Sequence, residues 1–443
     1  MLRFAPSPTG DMHIGNLRAA IFNYIIAKQS KEPFLIRIED TDTARNIEGK
    51  DKDILALLNL FGLLWDKLVY QSDNFAHHLK IAEYLIAKDL AFYCYCTPEF
   101  LDKKREEFIA QKRAFRYDEA WANEQKDSNP NPVIRLRGAK NDIVFKDYIK
   151  GELHFSAQEI DSFVIIKQDK IPTYNFACAV DDMLYDISFI IRGEDHTSNT
   201  PKQILIHKNL DYPKDIKYAH LPIILGESGS KMSKRDSASS VSWLLEQGFL
   251  PKAIINYLVA MGNNTPKEIF TLDEAIEWFD INKIAKSPVK FDLARLRFIN
   301  REHLKLLNEQ EFALLLESKD PSIGGLAKLH LQEASTLNEV REKIDLIFNA
   351  KDIYATYEGQ DFSTQAQILY ECFCALMDSH HNALNDYEEL KKELMSRSKL
   401  SGKMFFKPLR ILLTGRAQGL ELNEIYPFLR LFLRDIIRIK PKN

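Results

Sequence analysis

Cysteine is scarce: five residues in 443, at positions 94, 96, 178, 372 and 374. So low and odd a count in a long chain argues against a disulfide framework and points to a reducing compartment. No apolar run reaches membrane-spanning length and no charged-then-apolar leader opens the sequence, so a cytoplasmic protein with no membrane partner is expected. Neither sign of charge prevails. The net charge of −3 excludes a uniformly basic nucleic-acid coat, while a local basic patch stays open. Internal repeats and low-complexity segments do not stand out. What is present is ordinary for a globular protein, with 45% apolar and 28% charged residues. The length suits about two to four domains.

Leu2 to Phe4 is long enough only for a short first strand. It runs into the loop "RFAPSPTGDMHIGN", whose two prolines, two glycines and histidine suit neither helix nor strand. Helical spacing follows from Gly15 to Lys28, then a strand from Phe34 to Ile38, which makes a parallel βαβ unit. The same grammar returns late: a strand Ile187 to Ile191, a polar turn, a helix with Thr200 as N-cap and Pro201 at its first position, and a strand from His220 to Leu225. Between these halves, Tyr93 to Ala179 has a different texture, as an inserted domain would. Beyond "KMSKRDS" the strand signals fade into helices.

A glycine-bearing loop between a parallel strand and the next helix is where α/β folds bind phosphate. Gly10 and Gly15 allow close backbone approach, and His13 stands ahead of the helix as a donor. The stretch is neither G-x-G-x-x-G nor a Walker loop. The alternative is an ordinary tight turn with a surface histidine. A second loop, "GESGSKMSKRDS", sets Lys231, Lys234 and Arg235 among Gly and Ser, which suits a polyphosphate that changes charge during reaction. Its alternative is a solvated basic turn.

Together these loops resemble the HIGH and KMSKS signatures of class I aminoacyl-tRNA synthetases. With "RIEDTD", "YCYCTPE", "PTYNFA", "IIRGEDH", "SNTPKQIL", "HLPIILG" and "FKPLRILLTGR", the chain resembles the glutamyl-tRNA synthetase family. The resemblance implies an α/β fold: a Rossmann-type parallel-sheet catalytic domain with an inserted α+β acceptor-binding domain, followed by an all-α C-terminal half. The expected divisions are 1–92 and 181–236 for the catalytic halves, 93–180 for the insert, 237–310 for a helical stem-contact domain and 311–443 for a helical anticodon-binding domain.

The implied reaction joins L-glutamate to the α-phosphate of ATP, releases pyrophosphate, and transfers the glutamyl group to the 3′ end of tRNA-Glu, tRNA-Gln or both. No protein nucleophile is needed, so positioning and charge stabilisation do the work. The family pattern assigns His13, Gly15, Lys231 and Lys234 to catalysis. It assigns Pro6, Ser7, Asn16, Glu194, Met232, Ser233 and Arg235, with the same four, to ATP, and Mg²⁺ is expected as ATP's companion. Glutamate falls to Arg3, Ala5, Ser7, Glu39, Tyr174 and Arg192. A side-chain carboxylate calls for a planar, bidentate guanidinium, and the α-ammonium for an anion such as Glu39. Glutamine would leave a buried arginine unpaired, a cost of about 3–5 kcal/mol or two to four decades. The alternative for Arg3 and Arg192 is a structural salt bridge to Glu39, Asp40 or Asp195.

The chain departs from the pattern in places. Asn16 replaces the second HIGH histidine, which puts one phosphate contact in doubt. Relatives complete a zinc site begun by Cys94 and Cys96, but Trp121 and Asn123 occupy the later positions, and two thiols cannot close a four-ligand site. Zinc and any other protein-held metal are expected to be absent. Arg430, Arg434 and Arg438 fall on one face of an expected last helix, as a phosphate-binding stripe or a solvated face. A monomer is expected. A glutaminyl-tRNA synthetase is disfavoured, since its loop resembles "PPEPNG" and lacks a match to Arg3. A truncated relative that glutamylates a tRNA base would lack the helical half. An inactive tRNA-binding paralogue would have lost part of the two signatures. A specialised copy that charges tRNA-Gln, with a Glu-tRNA-Gln amidotransferase as its functional partner, stays open.

Overall fold

The computed structural model describes residues 1–226, 228–232, 237–379 and 382–441, the side chains of 382 and 383 excepted. It divides into two units, Met1–Trp243 with Ile255–Asp292, and Leu244–Ile254 with Leu293–Asn443.

Ten strands of the first unit, among the described residues, form its two larger sheets: β1 (Leu2–Phe4), β2 (Phe34–Ile38), β3 (Lys67–Tyr70), β4 (Ala91–Cys94), β5 (Val133–Leu136), β6 (Ile143–Asp147), β7 (Gly151–Phe155), β8 (Phe163–Ile166), β9 (Phe189–Gly193) and β10 (Lys217–Leu221). The main sheet runs β3-β2-β1-β9-β10-β6-β7. It is parallel from β3 to β6, and β7 closes it as an antiparallel edge. Strands β1 and β2 are buried along their whole length, as strands covered on both faces of a parallel sheet are, although each carries one arginine, Arg3 and Arg37, among its apolar residues. β1 lies between β2 and β9, so the chain order reverses there, and the crevice at the carboxyl ends of β1 and β9 is where such a sheet binds its ligand. A pair formed by Ile224–Leu225 and Val289–Lys290 adds to this unit.

Local chemistry moves several expected boundaries. The strand expected at Ile187–Ile191 begins two residues later, because Ile187 N donates to Asp182 O at 2.9 Å and still belongs to the end of helix Tyr174–Leu184. Thr200 is not an N-cap. Asn199 holds that position, and the fully buried Thr200 hydroxyl turns to other partners. The strand expected from His220 to Leu225 breaks at Pro222, which has no N–H to donate. The segment 93–180 supplies strands to two sheets. With Ala91 as its first residue, β4 pairs with β5 and β5 with β8 in an antiparallel sheet, whereas the β6–β7 hairpin extends the nucleotide-binding sheet through Tyr218↔Asp147.

The second unit is helical. Its core gathers Phe312, Leu326, Val340, Leu369, Phe373, Leu409, Leu412 and Leu429. Capping boxes start helices Glu309–Leu315 (Asn308 with Glu311) and Leu337–Phe348 (Thr336 with Glu339). Glycine is required where helix Pro321–His330 meets its neighbours: a Cβ on Gly324 would lie 1.8 Å from Glu309 O. The single cationic helix face expected at the end of the chain does not form. Arg430 opens a 3-10 turn, Arg434 lies on helix Leu433–Ile436, and Arg438 follows that helix. Each donates to a main-chain carbonyl, of Asn385, Met377 and Phe348 respectively. Among the described residues no helix is long and apolar enough to cross a membrane.

Candidate active site

Prolines 6 and 8 end β1, and their carbonyls still accept hydrogen bonds, from Glu39 N and Ile47 N at 2.9 Å each. The loop so pinned delivers His13 to the start of helix Ile14–Ser30. There Nδ1 accepts from Gly15 N at 3.1 Å and Asn16 N at 3.2 Å, which leaves the ring proton on Nε2. Two of the helix's first N–H groups are therefore capped by the histidine rather than open to a ligand. Gly15 has a steric reason: its Cβ would lie 3.0 Å from the His13 ring.

A cavity of about 600 Å³ opens here. Arg3, Ala5, Pro6, Ser7, His13, Gly15, Asn16, Glu39, Tyr174, Arg192, Lys231 and Met232 all line it. Ser233, Lys234 and Arg235 lie outside the described residues. Glu194 does not line the cavity: its Oε1 accepts from Ile223 N at 2.9 Å and its other oxygen pairs with Lys150.

Charge behind the cavity is organised in two groups. In the first, Asp182 accepts from Arg37 Nη1 at 2.6 Å and Arg3 Nε at 3.3 Å, while Arg37 Nη2 reaches Glu39 Oε1 at 3.0 Å. Burial alone would raise Asp182, yet the two guanidiniums bring it down to about 2. Cys178 donates to Glu39 at 3.0 Å, and burial with that carboxylate holds the thiol well above its ordinary range. In the second, Arg192 donates to Thr200 and Gln203 at 2.8 Å and to His220 Nε2 at 3.3 Å. Its Nη1 has no partner among the described residues. The structural salt bridge weighed for Arg192 is thus absent there, whereas Arg3 does take one, to Asp182 rather than to Glu39, Asp40 or Asp195.

Among the cavity residues, His196 and Arg18 were not singled out from sequence, and Asp195 was weighed only as a salt-bridge partner. Asp195 meets Lys231 at 3.4 Å, and His196 Nδ1 lies 3.0 Å from the Tyr174 hydroxyl. Arg18 is buried on the first helix, with Nη2 on Met261 O at 2.7 Å and Nε and Nη1 without a partner among the described residues, and burial lowers it to about 10. A lone cation inside the run Leu17–Ile21 is the signal that could have found it.

Away from the cavity, Cys94 and Cys96 converge on Tyr117. Its hydroxyl lies 3.1 Å from the Cys94 sulfur, the Arg135 guanidinium stacks 3.9 Å over the Tyr117 ring, and Cys96 donates to Trp121 O at 3.1 Å. Two thiols and a phenol under an arginine are not the donor set of a structural zinc ion.

Comparison with known proteins identifies the family. Residues 1–298 match the catalytic domain of class I tRNA synthetases (E and Q), and residues 297–429 match an anticodon binding domain. A protein of Helicobacter hepaticus named "Glutamate--tRNA ligase 2" is 69% identical over 439 residues, 99% of this chain and 100% of that protein. A "GlutamylGlutaminyl-tRNA synthetase" of Helicobacter pylori is 56% identical over 441 residues, again 99% and 100%. The crystal structure of a glutamate tRNA ligase from Elizabethkingia meningosepticum, in complex with its amino acid, superposes with a TM-score of 0.81 at 26% identity, covering 98% of this chain and 97% of that one. With its two matched domains and relatives alike from end to end, the chain belongs to the glutamate–tRNA ligases, class I aminoacyl-tRNA synthetases that use ATP to attach L-glutamate to tRNA.

Proposed function

We propose that the cavity selects L-glutamate by its side-chain carboxylate through Arg192 and Arg3, with the Tyr174 hydroxyl beside them. The observation that carries this reading is the state of Arg192. Among the described residues its direct partners, Thr200, Gln203 and His220, are uncharged, and Nη1 is left without one. A buried guanidinium in that state favours an anionic ligand and penalises glutamine. Glu39, with Ser7 and the Ala5 backbone nearby, is assigned to the α-ammonium. His13, through Nε2–H, and Gly15 are assigned to ATP, and Lys231 and Lys234 to the phosphates as charge develops, with Mg²⁺ carried in by ATP. The insert is assigned to the acceptor end of tRNA.

ATP–pyrophosphate exchange in the presence of tRNA tests the pocket. Arg192→Ala should raise the glutamate KM by about a hundredfold or more. In calorimetry Arg3→Ala should weaken glutamate while ATP binding persists. Unchanged glutamate affinity in both variants would refute the assignment.

A second reading, in which tRNA-Gln is charged with glutamate and passed to an amidotransferase, is favoured by the name of the Helicobacter pylori relative. Aminoacylation with purified tRNA-Glu and tRNA-Gln offered separately decides it. Charging of tRNA-Glu alone rejects that reading.

A further inference from the structure

Arg192 can present an unpartnered nitrogen to the cavity only if its other N–H groups are held, and one of the groups holding it is a histidine that does not line the cavity. His220 is fully buried on β10. Its Nδ1 lies 2.7 Å from Asp147 Oδ2, and the same oxygen accepts from His220 N at 3.0 Å. Oδ1 of Asp147 accepts from Ile149 N and Lys150 N at 2.9 and 2.7 Å. An aspartate receiving so many donors is ionised and can only accept, and it sits below the usual carboxylate range: burial opposes this, but the His220 and backbone donors prevail. The ring proton is therefore on Nδ1. That leaves Nε2 as an acceptor, facing Arg192 Nε at 3.3 Å and the Thr200 hydroxyl at 3.0 Å. A ring protonated at Nε2 would offer Arg192 a donor where it needs an acceptor.

We propose that His220 and Asp147 are positioning residues for glutamate recognition: Asp147 fixes the tautomer of His220, and the bare Nε2 of His220 orients Arg192 toward the substrate carboxylate. Neither touches the ligand. The carboxylate reaches this place because β6, which lies between the two catalytic halves in the chain, pairs with β10 in the nucleotide-binding sheet. The proposal rests on the assignment of Arg192 to glutamate.

The test is steady-state aminoacylation by the full chain, reading the KM for glutamate and for ATP separately, the glutamate-to-glutamine discrimination, and the melting temperature. His220→Leu should raise the glutamate KM about ten- to a hundredfold, the loss of one hydrogen bond to a charged group, with the ATP KM unchanged and discrimination reduced. His220→Gln, whose amide oxygen can stand in for Nε2, should recover most of that loss. Asp147→Asn, which offers a donor to Nδ1 and drives the proton to Nε2, should raise the KM although the ring is kept. Equal effects of Leu and Gln that follow the melting temperature would overturn the proposal, as a sign of filled space alone. A glutamate KM unmoved in the His220 variants while Arg192→Ala raises it would overturn it and leave the pocket standing. No effect in Arg192→Ala would reject the pocket itself. If a His220 variant fails to fold, Asp147→Asn, which keeps the ring, carries the test, and an unchanged glutamate KM there overturns the proposal equally.

Discussion

Arg37 donates through Nη1 to Asp182 Oδ1 at 2.6 Å, and neither side chain is more than 1% exposed. The pair is 145 residues apart in sequence and lies beneath the cavity, where Arg37 also holds Glu39 and Asp182 also holds Arg3. Removing Arg37 would leave two buried carboxylates short of their cation. Arg37→Leu should cost about 3–5 kcal/mol of stability, read as a lowered urea midpoint, and should weaken glutamate binding by freeing Asp182 to compete for Arg3. Asp182 lies near 2 when folded against an ordinary 3.8, so its contribution is present above pH 3.8 and is lost as the pH falls toward 2.

At the helix start, Gly15→Ala places a methyl 3.0 Å from the His13 ring. The ring must give by a few tenths of an ångström, which strains the two bonds from Gly15 N and Asn16 N and shifts Nε2. Exchange activity should fall by about tenfold or more, with a higher ATP KM and an unchanged glutamate KM. A variant with wild-type kinetics would show that the cap geometry carries no functional load.

Two buried histidines make the helical unit acid-sensitive. Burial, assisted by Lys343, lowers His330 to about 4, and its ring nitrogens have no partner among the described residues. Burial with Lys252 lowers His303 to about 4. In the unfolded chain both take up a proton near the ordinary value of 6.5, so the unfolded state binds more protons between about 4 and 6.5. Stability falls as pH drops through that window. His330→Leu should flatten the decline, measured as the difference in melting temperature between pH 7 and pH 5.

Close backbone approach in the same unit is open to test. Gly324→Ala sets a Cβ within 1.8 Å of Glu309 O, so helices Glu309–Leu315 and Pro321–His330 must part. Thermal melting should show a loss of about 1–3 kcal/mol, the usual cost of overpacking, despite the better helix propensity of alanine.

Much of this protein was legible in its residues. The strand–loop–helix–strand unit at the N-terminus follows from local rules: an apolar run too short to be anything but a strand, prolines that stop it, and helical spacing after Gly15. Helix Ile14–Ser30 and β2 fall within two residues of where that spacing puts them. Arg3, Glu39, Arg192 and the His13 loop were legible for a related reason, because residues at the carboxyl ends of parallel strands stay close in sequence to the strands that place them, whereas the other cavity residues were named only by the family resemblance.

Only the tertiary structure decided what stands behind the cavity. Asp147 meets His220 across 73 residues, and the segment that carries it reads as part of an insert until β6 pairs with β10. Glu194 carries a family motif yet turns to Ile223 and Lys150, away from the ligand space. The sequence by itself determined the local elements, their order and the loops that bear the chemistry, because periodicity, proline and glycine act over a few residues. The partners of each buried charge were decided by the fold, because electrostatic pairing depends on distance through space and leaves no period along the chain.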